Sequence, residues 1–236
     1  MKYLQLICIE GETGTPAAAA AMNEHIGPWL QETQSRGIRI VGKQLDEPAG
    51  AKTVRVRDGE TLITDGPYAA TKEYIGGLDI LECESLDEAI EVAAKHPVSW
   101  FHAIELRPFA SELEVPDDLS PDDMRYLVQI FVDGIPETPE VEEGIVRDAE
   151  AWGEQARERG VMVLGGGLQP KHTATTVRVR DGEVLLTDGP FVETKEYLAG
   201  IAILNGGVTE QAAVEFAARF PTARYHPVEV RRFIDQ

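Results

Sequence analysis

The sequence predicts an α+β protein made of two ferredoxin-like domains in tandem, each with an inserted β-hairpin. Three observations carry this. Thr53–Glu60 (TVRVRDGE) returns letter for letter as Thr176–Glu183, and 20 of the 29 positions of Thr53–Leu81 recur in Thr176–Leu204 without a gap. Met1-Lys2-Tyr3-Leu4 returns as Met124-Arg125-Tyr126-Leu127, so a methionine stands where a second copy would have begun. Each copy also reads as β-α-β, hairpin, β-α-β. A two-unit tandem is too short for a solenoid, which needs about three stacked repeats. The expected division is a domain at 1–109, a Pro/Asp-rich linker at 110–123 and a second domain at 124–236.

The elements follow in order. Tyr3–Ile9 and Tyr126–Val132 are β-rich openings. Thr15-Pro16 and Thr138-Pro139 place a capping threonine before a proline at the first helical position. The helices they open end at Gly37 and Gly160, where glycine suits the residue just past a helix. Ile38–Val41 and Val161–Leu164 are short apolar strands. Val54 and Val56 then alternate with Arg55 and Arg57 ahead of Asp58-Gly59, a strong hairpin signal that Asp181-Gly182 repeats. Tyr74–Leu81 and Tyr197–Leu204 are further strands. Ser85-Leu86-Asp87-Glu88 forms a capping box, of which copy two keeps Thr209 but not the acidic partner. Ala103–Leu106 and Val228–Val230 close the copies and run into Arg107 and Arg231. A sheet of this kind carries helices on one face only, so each is expected to pack its other face on the sheet of the other copy.

The net charge of −19 repels polyphosphates, and no nucleic-acid partner is expected. No apolar run approaches the roughly 18 residues that span a bilayer, so no membrane partner is expected either. The opening segment recurs inside the chain as a strand, which argues against a signal peptide and makes the cytoplasm the default location. Cys8 aligns with Phe131 and Cys83 with Gly206, so neither cysteine is shared; both read as small buried hydrophobes. Gly165-Gly166-Gly167 faces Gly42-Lys43-Gln44 in copy one and opens no helix, which disfavours a phosphate cradle. No metal-site or cofactor fingerprint is present, and no cofactor is expected.

Copy two reads Asp188-Gly189-Pro190-Phe191-Val192-Glu193-Thr194-Lys195-Glu196, and copy one Asp65-Gly66-Pro67-Tyr68-Ala69-Ala70-Thr71-Lys72-Glu73. These resemble the D-G-P-F-A-E-T-K-E signature of the YCII-related, or DGPF-domain, proteins. Ala70 departs from it where Glu193 keeps it. The hairpin and the Val228-Glu229-Val230-Arg231 segment are also similar to that family, so the resemblance runs nearly end to end in both copies. It implies a dimeric α+β barrel, formed here within one chain. It fixes no activity: such proteins resemble small isomerases and monooxygenase-like barrels, and are often encoded beside extracytoplasmic-function sigma factors.

Asp65 and Asp188 suit the first position of a turn, their carboxylates bonding amides two residues on, or else serve as bases. Lys72-Glu73 and Lys195-Glu196 persist in both copies and are candidate ligand contacts. Only His102 and His226 correspond among the histidines, each just before a last strand; a histidine titrates near neutrality and can move protons. Glu105/Glu229 and Arg107/Arg231 recur two apart on one strand face, read as an exposed edge or an anion clamp. The leading expectation is a small organic molecule bound in a cleft between the sheets. Any catalysis would be cofactor-free acid/base chemistry, with His226 or Asp188 as base and Lys195 or Arg231 holding an anion. His102, Asp65, Lys72, Glu73, Arg107 and Glu196 complete the set. Copy two is favoured because its signature is intact. The alternative is a non-catalytic regulatory module with a protein partner. A monomeric pseudo-dimer and a homodimer both remain open, as does enzyme against binding protein.

Overall fold

The hairpin turns form where the residues allow them. Asp58 and Gly59 take φ of 53° and 79°, and Asp181 and Gly182 take 52° and 81°. Two successive positive φ values define the turn type whose twist matches paired strands, and Asp-Gly tolerates it best. In this computed structural model, which describes residues 1–11, 16–68, 73–132, 138–191 and 197–235, each turn joins six-residue strands. These are β3 (Lys52–Arg57) and β4 (Glu60–Asp65), then β9 (Thr175–Arg180) and β10 (Glu183–Asp188).

The rest of copy one comprises β1 (Lys2–Ile9), α1 (Pro16–Ser35), β2 (Arg39–Gln44), β5 (Tyr74–Glu82), α2 (Leu86–Lys95) and β6 (Ala103–Pro108). Copy two supplies β7 (Met124–Val132), α3 (Pro139–Glu158), β8 (Met162–Gly167), β11 (Tyr197–Asn205), α4 (Glu210–Arg219) and β12 (Val228–Arg232). The glycine stops are where the sequence puts them. Gly37 and Gly160 both take φ of 67°. Past them, Ile38 N–H reaches back to Thr33 O and Val161 N–H to Ala156 O, both at 2.9 Å. Ser85 Oγ accepts from Glu88 N–H at 3.2 Å, but the Glu88 carboxylate caps Glu84 N–H, one residue outside the expected box. Thr209 accepts from Ala212 N–H at 3.2 Å. Thr15 lies outside the described residues, and Thr138 makes no side-chain cap.

The strands form two antiparallel six-stranded sheets, ordered β10-β9-β6-β1-β5-β2 and β4-β3-β12-β7-β11-β8. Within each, four strands from one copy keep the ferredoxin-like order, and the outer two are the hairpin of the other copy. Val177 lies opposite Ile104 on β6, and Val54 lies opposite Val228 on β12. The two compact units of the molecule therefore cross the repeat boundaries at 109 and 124: each takes one hairpin from the other half.

Burial shows how firmly the hairpins are held. In the first unit Tyr3, Leu81, Ile104, Leu106 and Val177 pack with Trp29, Val92 and Ala93 of α1 and α2. In the second, Val128, Leu204, Val228, Val230 and Val54 pack with Ala156, Phe216 and Ala217 of α3 and α4. Val54 and Val177 are fully buried, which favours hairpin attachment by about 1.5–3 kcal/mol per valine. The first unit also holds a polar triad around the buried Asp79, which accepts from Gln5 Nε2 at 2.8 Å and from the half-buried Arg39 Nε at 2.6 Å. Val128 and Ala202 stand at the matching places of Gln5 and Asp79. No helix among the described residues is long and apolar enough to cross a membrane.

Candidate functional site

Strand alternation builds the site. On β6, Ile104 and Leu106 face the helices, so Glu105 and Arg107 lie on the opposite face, beside Thr176 of β9. On β12, Val228 and Val230 face the helices and Glu229 and Arg231 do not; Glu229 lies opposite Thr53 of β3. All four charged residues are buried, and Arg107 completely. The expectation of an exposed edge is therefore corrected: β6 and β12 are interior strands because the exchanged hairpins cover them.

Each Glu-x-Arg pair holds a D-G-P loop carried in with the hairpin. In the second unit Gly66 takes φ of 97°, a conformation that disfavours any side chain. Its N–H bonds Ala51 O at 2.8 Å, and its carbonyl accepts from Thr53 Oγ1 at 3.0 Å. Two residues on, Tyr68 N–H donates to Glu229 Oε2 at 2.8 Å, while Gln129 Nε2 donates to Glu229 Oε1 at 2.9 Å. The first unit repeats the pattern. Gly189 takes φ of 111°, Thr176 Oγ1 donates to its carbonyl at 3.0 Å, and Phe191 N–H donates to Glu105 Oε2 at 2.8 Å.

The supports of the two carboxylates differ. Arg107 Nη1 donates to Glu105 Oε1 at 3.3 Å and its Nη2 to Gln169 O at 2.9 Å. Leu6 stands where the second unit has Gln129. The buried Arg107 Nε has no hydrogen-bond partner among the described residues. In the second unit, Arg231 donates to Asp46 O. Burial pushes the Glu229 carboxyl above its ordinary range, opposed by the Tyr68 amide, Arg231 and Gln129.

An arginine of each hairpin lies over the aromatic ring of its own loop. Arg55 sits 5.2 Å from the Tyr68 ring centre and Arg178 5.4 Å from that of Phe191. In the first unit the cluster extends outward. Arg178 Nε and Nη2 both bond Glu10 Oε1, at 3.2 and 2.8 Å, and Arg180 Nη2 lies 3.6 Å from Glu10 Oε2. Arg180 also donates to Ser99 O at 2.9 Å and Phe101 O at 3.3 Å. Glu10 N–H donates to His102 Nδ1 at 3.2 Å. Burial lowers the His102 pKa, with Glu10 opposing and Arg180 reinforcing. With Nδ1 engaged as acceptor, the neutral ring carries its proton on Nε2 and presents a donor there.

The sequence candidates separate accordingly. Asp65 is 84 % exposed and pairs with Lys52 at 2.7 Å, which holds its carboxyl below the usual range. Asp188 is exposed at the end of β10, opposite Thr175. The carboxylate that receives the loop amide is thus the glutamate of the last strand, not the loop aspartate. His226 is buried, its N–H bonded to Thr222 O at 2.8 Å. It belongs to a different unit from Asp188. Asp188, Gly189, Pro190 and Phe191 of copy two instead share their unit with His102, Glu105 and Arg107 of copy one. Glu73 is half-buried just before β5. Lys72, Lys195 and Glu196 lie outside the described residues. Among the described residues, no group of three or more His, Cys, Asp or Glu could hold a metal ion.

Glu10, Arg178 and Arg180 were missed by the sequence reading. Glu105 and Glu229 were visible as a recurrence, but their burial was not. Residues 1–109 and 124–235 each match the YCII-related domain. The chain belongs to the YCII-related domain family. This YCII-related protein is 33% identical over 93 residues to an uncharacterised protein of Rhizobium meliloti (strain 1021), covering 37% of this chain and 74% of the relative. It is also similar to two solved structures, each 11% identical and each matched over 99% of this chain. One is described as a putative chlorite dismutase, with a TM-score of 0.39 over 94% of that chain. The other is described as a novel heme-binding protein from Thermus thermophilus, with a TM-score of 0.42 over 91% of that chain.

Proposed function

We propose that this YCII-related protein binds a small organic anion, and that the working site is the one around the Phe191 loop of the first unit. The observation that carries this reading is the convergence of Arg178 and Arg180 on one carboxylate, Glu10, beside an aromatic ring. Paired guanidinia suit a planar anion, and the ring face suits an apolar body attached to it. Arg107 adds a further guanidinium on the same sheet face as Glu105. His102, neutral with its proton on Nε2, is the group placed to donate a hydrogen bond to a bound oxygen, while the Glu10 amide occupies Nδ1 and burial disfavours its protonated form. This moves the proposed ligand-contacting histidine from His226 to His102, as a hydrogen-bond donor. Lys195 and Lys72 remain proposed contacts on sequence grounds.

The test is a thermal-shift screen with small mono- and dicarboxylic acids, joined to mass spectrometry of whatever co-purifies. A ligand at about 100 times its Kd stabilises the fold by about 2.7 kcal/mol, a readable rise in Tm. Arg178→Ala and His102→Gln should each cut that rise, and Arg55→Ala in the second unit should not. No stabilisation by any organic acid, or equal loss on Arg55→Ala, rejects the assignment.

A further inference from the structure

β10 and β4 are edge strands of an unusual kind. Among the described residues each has a single sheet neighbour, and all six residues of each are exposed. They are nonetheless apolar at the centre. Val184, Leu185 and Leu186 are 48%, 46% and 52% exposed, and Leu62 and Ile63 are 49% and 54% exposed. The opposite edges, β2 and β8, bury Val41 in one case and Met162 and Leu164 in the other. Exposed edges are usually guarded by lysine, proline or a bulge, because an open ladder recruits further strands. Neither β10 (EVLLTD) nor β4 (ETLITD) contains a lysine or proline, and β10 pairs with β9 without a register shift.

What guards these edges is charge of one sign. Glu183 and Asp188 bracket β10, as Glu60 and Asp65 bracket β4. A second copy of the chain pairing antiparallel in direct register would set Glu183 against Asp188 at both ends, and each copy carries a net charge of −19. Like charges directly opposed are destabilising. An extended segment with an apolar centre and basic ends meets the opposite situation: its backbone completes the ladder and its cations meet the terminal carboxylates. β10 is the better of the two edges. It has Val184 where β4 has Thr61, and Thr175 stands opposite Asp188 where Lys52 already pairs with Asp65.

We propose that β10 is a strand-addition site for an extended segment of a partner protein whose apolar centre is flanked by lysine or arginine. The test uses the full chain and a labelled synthetic peptide, Arg-Val-Thr-Ile-Val-Lys, followed by fluorescence polarisation. Binding is expected, and is expected to weaken as salt rises from roughly 50 to 300 mM. A peptide N-methylated on alternate amides, in both registers, should bind at least tenfold more weakly, since it cannot complete the ladder. Leu185→Lys should weaken binding tenfold or more with unchanged circular dichroism. Glu183→Lys, at an exposed position, provides the same test should Leu185→Lys fail to fold. Absence of binding, or equal binding of the N-methylated peptides, overturns the proposal. So does a wild-type dimer in sedimentation that Leu185→Lys dissolves, because the edge would then belong to a second copy.

Discussion

The backbone amide of Tyr68 donates to the carboxylate of Glu229 at 2.8 Å, across 161 residues of sequence. Its counterpart joins Phe191 to Glu105 across 86 residues. In both, a loop from one copy is anchored on the last strand of the other.

Glu229 makes this anchor pH-dependent. Burial raises its folded pKa above the ordinary 4.5, so the folded state keeps the proton where the unfolded state has lost it. Its contribution to stability is therefore greatest below about pH 4.5 and falls as pH rises toward the folded value. Glu229→Gln keeps an acceptor for the Tyr68 amide but cannot titrate. Urea denaturation should show wild type gaining on Glu229→Gln as pH falls from 8 to 4. Wild type gaining on Glu229→Gln as pH rises contradicts this. Glu229→Ala, which strands the amide, should cost about 1–3 kcal/mol.

His96 works in the other direction. Its buried ring stacks edge-on against Trp29 at 4.4 Å, and its Nδ1 accepts from Val98 N–H at 3.2 Å. Burial lowers its pKa from 6.5 to about 4. Between those values the unfolded state takes up a proton that the folded state refuses, so stability falls as pH falls. At about 1.36 kcal/mol per pH unit the loss is about 3 kcal/mol. His96→Asn keeps a capping acceptor and should flatten this acid limb in denaturant titrations. An unchanged limb assigns the loss to other groups.

The two cysteines should be inert in the native state. Cys8 is buried and its pKa is raised well above normal, first by burial; that of Cys83 is pushed up to about 11, also first by burial. Thiolate is the reactive form. Alkylation by iodoacetamide near neutral pH should be slow until denaturant is added, then reach two sites. Rapid native labelling of either contradicts the burial.

The hairpin turns should respond alike. Gly59→Ala and Gly182→Ala each force a side chain into positive φ and should cost about 1 kcal/mol. Asp58→Asn and Asp181→Asn should be nearly neutral, because asparagine tolerates that conformation. Urea midpoints read both, and a costless Gly→Ala at either turn contradicts the turn geometry.

The turns, helix stops and the succession of elements along the chain were legible because each is dictated locally: Asp58-Gly59, Gly37, and the Val54/Val56 alternation need no knowledge of the rest of the chain. The exchange of hairpins was not legible, for a physical reason. TVRVRDGE is identical in both copies, so β6 and β12 are offered the same ribbon, and no local rule chooses between them. The burial of Glu105 and Glu229 depends on that choice and was hidden with it. Glu10 was hidden differently: its role comes from Arg178, 168 residues away, and Asp133, its counterpart by the repeat, lies outside the described residues.

Since Thr53 adjoins Glu229 and Thr176 adjoins Glu105, a change in either half's ribbon is felt in the other half's site. The two halves of this duplication are thus not independent lineages sharing a tether. A substitution in one half's ribbon therefore acts on a carboxylate that the other half encodes. Cut within 110–123 and expressed separately, each half has only its own kind of ribbon to offer its last strand, so the native pairing of β6 with β9 and of β12 with β3 should return only when the two fragments are mixed.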